Sequence, residues 1–206
     1  MKLPLNRKSL TLLELLVAVV LFSLVVIGFS SIDLFSNYHV LSSDKRARLQ
    51  NELYLVIEHM KKEMGKAVGN EVAFGANSTV NLDNINGNQA IQVYLDGNGN
   101  GIRDTLIASP TENDDHWIAY VFTGSTGAEA DRYQIWYYPL FIDSNSAHEV
   151  IARHIYAITV TNGLSSNNNY LDIELFTRWA PGVGYSTKNP QVNMQARINM
   201  HSVSTN

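Results

Sequence analysis

Lys8-Ser9-Leu10-Thr11-Leu12-Leu13-Glu14-Leu15-Leu16-Val17-Ala18 opens an apolar run that continues to Ile32. Lys2, Arg7 and Lys8 precede the run, and Glu14 is the only ionisable residue inside it. As a helix, residues 10–32 would span about 34 Å, against a hydrocarbon core of roughly 30 Å. The basic flank predicts a cytoplasmic N-terminus and an exported C-terminal part. A secretory signal peptide fits poorly. Its apolar core is shorter and a small-residue cleavage site follows it, whereas here only Ser30-Ser31 stands near the end. A plain anchor fits the length but leaves Glu14 unexplained, because an acid within a bilayer is costly and marks function.

The surrounding composition falls into three parts. Residues 10–32 are apolar, 44–66 are rich in Lys, Arg and Glu, and the remainder is rich in Asn, Gly, Ser, Thr and aromatics. These read as membrane segment, stalk and β-rich domain. Charged residues make up 17%, below the ~25% usual in soluble domains. The net charge is -4 with no basic block past the N-terminus, so charge-driven nucleic-acid binding is not expected. The chain has no cysteine, which excludes disulfides and thiolate metal sites.

The segment Lys8–Ala18 resembles the type IV prepilin signal: a short basic leader, a small residue, a hydrophobic first mature residue, and Glu as the fifth mature residue. The resemblance implies cleavage between Ser9 and Leu10 by a prepilin peptidase, methylation of the new N-terminus, and a role in assembly for Glu14. Ser9 departs from the family, which usually has Gly there. Further partners implied are other pilins or pseudopilins through the N-terminal helix, and an inner-membrane assembly platform. The expected organisation is a leader at 1–9, a membrane and filament-core half of the helix at 10–32, an amphipathic exported half at 33–66, and a β-rich domain at 67–206.

No proline stands between Leu5 and Pro110. Past the membrane run, Leu34, Tyr38, Leu41, Leu49, Leu53, Val56, Met60 and Met64 recur at steps of three and four, with a gap at Lys45. That is one apolar stripe on a helix, with Gly65 as its stop. Strands are expected near Ile91–Leu95, Trp117–Phe122, Tyr133–Tyr138, Val150–Thr161, Leu171–Arg178 and Val192–Val203. Turn-forming clusters separate them at Asn81–Asn88, Ser125–Ala128, Ser144–Ser146, Ser165–Asn169 and Pro181–Gly184. A helix followed by strands indicates an α+β fold with antiparallel sheet. The layout resembles minor pilins and pseudopilins of the J type (type II secretion) and W type (type IV pili). The implied function is a subunit that helps initiate or cap a filament. A tip adhesin or DNA-capture module, and a membrane-anchored periplasmic enzyme, are the alternatives.

Asp96-Gly97-Asn98-Gly99-Asn100-Gly101-Ile102-Arg103-Asp104 matches the opening of a calcium loop. Asp96, Asn98, Asn100, the Ile102 carbonyl and Asp104 are the candidate ligands. Ile107 stands where the twelfth-position Glu would be, so the same stretch also reads as a glycine-rich hairpin with Asn-Gly turn chemistry. The six histidines follow no zinc-binding spacing, and no G-x-S-x-G elbow or phosphate loop is present.

Overall fold

The computed structural model describes residues 11–70, 80–100, 110–111, 114–125, 128–162, 170–200 and 202–204. The chain divides into two compact units, 1–43 and 44–206. A single helix, α1 (Leu12–Met64), contributes to both. Among the described residues, it is the one helix long and apolar enough to cross a membrane.

In the first unit every described residue is helical apart from Thr11, and the apolar side chains of Leu12, Phe22, Phe29, Phe35 and Leu41 are all exposed. The expected stripe is therefore buried only from Leu49 onward. Leu34, Tyr38 and Leu41 are 58%, 53% and 59% exposed, whereas Leu49, Leu53, Val56, Met60 and Met64 are at most 1% exposed.

The second unit packs the end of α1 against two antiparallel sheets. The first runs in the order β2 (Val80–Ile85), β3 (Asn88–Leu95), β4 (His116–Phe122), β5 (Ile135–Tyr138), β6 (Glu149–Ala152). The second is β7 (Ile155–Asn162), β8 (Tyr170–Arg178), β9 (Gln191–Asn199). A short parallel pair joins β1 (Val68–Asn70) to β10 (Ser202–Ser204). The architecture is α+β, as expected.

Alternation on the strands explains the core. Ile91 and Val93, Ile118 and Tyr120, and Ile135 and Tyr137 face the helix residues Leu53, Val56, Ile57, Met60 and Met64. Leu171, Ile173 and Leu175 of β8 and Ile198 of β9 join the same cluster, so one core unites helix and both sheets. The opposite face of the first sheet buries a smaller cluster, Ala90, Ala119, Val121 and Tyr138, under Phe141. Both faces of β4 are thus covered, which accounts for its nearly unbroken apolar run. On the outer face of the second sheet, Arg197 grips Asp172 across β8 and β9 with two bonds of 2.8 Å. This exposed pair adds little stability.

Several expected boundaries shift. The Asn81–Asn88 cluster is not one turn: β2 occupies most of it, and the turn is Asn86-Gly87 alone. Both residues have positive φ (53° and 78°), which a type I′ hairpin needs and Asn-Gly tolerates. The run 150–161 splits at Arg153-His154, where His154 has φ 62°, so its two halves join different sheets. The run 192–203 similarly divides into β9 and β10. Gly65 follows the helix end without the left-handed conformation common after helices. A Cβ there would lie 2.7 Å from the Lys61 carbonyl oxygen, so close approach is what calls for glycine. The expected turn at 165–169 lies outside the described residues.

Lys45 fills the gap in the stripe. Its ammonium lies 5.3 Å from the centre of the Trp179 ring and donates to the Lys188 carbonyl at 3.0 Å. The aliphatic stem of a lysine can hold an apolar position while its charge finds such partners. Two turns on, Glu52 accepts from the Arg153 backbone N–H and lies 3.1 Å from His154 Nδ1. His154 in turn stacks on Trp179.

Candidate functional site

The helix starts with a reciprocal cap. Thr11 precedes the first helical residue, so Glu14 is the third residue of the helix. Glu14 Oε2 accepts from the Thr11 backbone N–H and from the Thr11 hydroxyl, each at 2.9 Å. The Glu14 N–H donates back to Thr11 Oγ1 at 3.3 Å. This is a capping box, which satisfies donors that a helix start leaves unpaired. The carboxylate also sits at the positive end of the helix dipole. Both cap bonds fall on Oε2; among the described residues no partner is seen for Oε1. Thr11 is a participant that attention to the acid alone had missed. The signal was legible: Ser or Thr, then an acid three residues later, just before an apolar run. Ser9 and Leu10 lie outside the described residues.

Beyond the cap, side chains from Leu12 to Leu41 are exposed all round the helix. A helix apolar on every side needs lipid or other helices as its solvent. Residues 5–30 match the family described as the Prokaryotic N-terminal methylation motif. This segment is a prepilin-type N-terminal methylation motif. No curated protein and no solved structure matches the chain. The motif supports a type IV pilin-like or pseudopilin protein, and one long helix with antiparallel sheets fits a pilin-like fold. It implies processing by a prepilin peptidase and assembly with other pilins. Together with the apolar helix it fits a membrane-anchored protein, and it suggests a structural rather than enzymatic role.

The candidate calcium loop is described only through Asn100; Ile102 and Asp104 lie outside the described residues. Asp96 Oδ1 accepts from the backbone N–H of Gly99 at 2.6 Å and of Asn100 at 3.2 Å. Asn98 Oδ1 accepts from Asn100 N–H at 2.9 Å. Asp115, only 2% exposed, ties this turn to β4 by accepting from Gly97 N–H. Asp114 instead holds Thr111 through both its backbone N–H and its hydroxyl, which keeps its carboxyl below the usual range. The adjacent acids thus serve separate contacts. Among the described residues no three His, Asp or Glu side chains are grouped to hold a metal ion.

A cavity of about 590 Å³ opens beside this turn, lined by His59, Glu63, Lys66, Asp96, His116 and Tyr137 among others. His59 Nδ1 lies 3.1 Å from the Tyr120 hydroxyl, and its ring meets Tyr137 edge-on. Burial holds the His59 pKa below its ordinary value, and Glu63 and Glu149 oppose that only in part. Burial also drives the Tyr120 hydroxyl far above the normal phenol range, so it stays protonated. His116 Nδ1 lies 2.6 Å from the Asp114 carbonyl, to which it can only donate.

The depressed His59 pKa carries a pH dependence. The folded state favours neutral imidazole, while the unfolded chain binds its proton near pH ~6.5. The contribution is therefore complete above that pH and is lost as pH falls through the lower folded value. Thermal melts of the full chain in detergent should show Tm dropping on acidification. His59→Phe should flatten part of that slope; identical slopes for the two proteins would refute the assignment.

Proposed function

We propose that the chain is a minor pilin or pseudopilin that helps initiate or cap a type IV pilus or type II secretion pseudopilus. The observation that carries this reading is the methylation motif on a helix whose residues 12–32 are exposed and carry no ionisable side chain except Glu14 at its start. The mechanism begins with insertion, with Lys2, Arg7 and Lys8 retained on the cytoplasmic side and the β-rich domain in the periplasm. The peptidase then removes 1–9 and methylates Leu10. The platform next draws the apolar half from lipid into a bundle of like helices. The segment exchanges one apolar solvent for another, so assembly need not expose it to water. Shearing filaments from cells carrying a tagged chain tests the reading. The tag should appear in the sheared fraction in small amount; a tag confined to the membrane would defeat it.

We further propose calcium as the ligand of the 96–104 loop. Calcium at about 100 times its dissociation constant should stabilise the fold by about 2.7 kcal/mol, because it binds only the native state. Asp96→Asn keeps the acceptor for Gly99 and Asn100 but removes the charge. The variant should lose the calcium-dependent rise in Tm while melting normally without calcium. No rise in the unmodified chain at millimolar calcium would leave the hairpin reading.

A further inference from the structure

The connection between β8 and β9, Trp179 to Pro190, is built around a buried polar side chain. Asn189 is 6% exposed. Its Nδ2 lies 3.0–3.1 Å from the carbonyls of Ala180, Val183 and Gly184, which share its two N–H groups, and its Oδ1 accepts from Ala180 N–H at 2.7 Å. Arg178 Nη1 adds a second bond to the Val183 carbonyl. Trp179 N–H donates to Pro190, and Ser186 and Asn189 form a bridge. A loop secured at so many points holds one shape. Yet that shape leaves Val183 and Tyr185 60% and 63% exposed. Apolar side chains held rigidly in water lose little entropy on docking, and tyrosine is a frequent interface anchor.

The loop's surroundings select its partner. No acid occurs between Arg178 and Gln191, while Lys188 lies within the loop and Lys45 is bound to its backbone. The loop therefore suits an apolar surface carrying negative charge. Residues 33–41 supply such a surface on every copy of this chain. Leu34, Phe35, Tyr38, Val40 and Leu41 are all more than half exposed, and Asp33 brings the acid. On the filament reading this stretch follows the membrane run ending at Ile32, where an adjacent subunit can cover it. We propose that the Trp179–Pro190 loop seats Val183 and Tyr185 on residues 33–41 of an adjacent subunit. The inference rests on the filament reading above. A loop on one copy meeting a helix on the next is a heterologous contact, which extends an assembly instead of closing a dimer.

A photoreactive phenylalanine analogue in place of Tyr185, in the full chain co-expressed with a differently tagged copy, tests this. Illumination of sheared filaments should join the two tags, with the adduct mapping to residues 33–41. The same probe at the exposed Glu129 should not give that adduct. An adduct with lipid, within one chain, or at another surface would overturn the proposal. So would no adduct in filaments that contain the probe. A Val183→Glu, Tyr185→Ser chain should be cleaved and melt as the unmodified protein does but enter filaments poorly. Normal entry would also overturn the proposal. If the unmodified chain never reaches the sheared fraction, the filament reading itself fails, a result distinct from those above.

Discussion

Glu14→Gln should be cleaved and inserted normally yet be almost absent from filaments. The variant separates the capping role that the geometry shows from the pairing role that we propose for the same carboxylate. Oε2 caps the helix by accepting from Thr11 N–H and Oγ1. A glutamine oxygen can do the same, since Gln also serves in capping boxes. What glutamine lacks is charge. After the proposed cleavage the Leu10 amine of each subunit would be a cation, four residues before its own Glu14 in the chain. In a bundle of apolar helices a neighbour's amine can reach Glu14, and the attraction is stronger there than in water. Any other axial offset would bury a charge without a partner, so the pair would also set register. Breaking a buried pair by removing one member costs about 3–5 kcal/mol. At about 1.4 kcal/mol per tenfold, that is a loss of a hundredfold or more in incorporation. Quantifying tagged chain in sheared filaments measures it. Wild-type incorporation of Glu14→Gln would sink the ion-pair account and leave capping as the whole role. Thr11→Ala is the matching control. It should cost about 1 kcal/mol of helix start and reduce assembly only mildly.

Replacing Ser9 with phenylalanine should block maturation almost completely. The cut we propose between Ser9 and Leu10 needs a peptidase that accepts a small side chain immediately before it, and Ser9 stands there in the sequence. Intact-mass measurement of membrane-extracted protein provides the readout. The unmodified chain should begin at Leu10 with a methylated amine, and the phenylalanine variant should keep all nine leader residues. The consequence reaches Glu14, because an uncleaved Leu10 nitrogen is a neutral amide with no charge to offer. The uncleaved chain should therefore be missing from filaments as well. Ser9→Gly should be processed at least as well as the natural chain. A mature start near Ser30, or an intact leader on the unmodified protein, would overturn the processing scheme.

How far the sequence could be read varied with the range of the interaction. The capping box was fully legible, since Thr11 and Glu14 are three residues apart and need nothing else to meet. The Asn86-Gly87 turn is local in the same way. The strand before it, Val80–Ile85, was hidden. Its Asn and Asp residues are turn formers by themselves, and pairing with β3 overrides that preference. The apolar stripe was visible from Leu34 to Met64, but periodicity cannot say which turns lie beside a sheet. Lys45 looked like an interruption because its partners, Trp179 and the Lys188 carbonyl, are more than 130 residues away in the chain.

By itself the sequence determined a long helix with an apolar first half preceded by basic residues, one acid near the start of that run, and a β-rich remainder. These follow from composition and from contacts within a turn or two. Only the tertiary structure decided that burial begins at Leu49, that one strand run divides between two sheets at His154, and that Asn189 stiffens a loop exposing Val183 and Tyr185. Those outcomes depend on which distant backbone groups come within hydrogen-bonding or van der Waals reach, and that is set by how sheets and helix pack together.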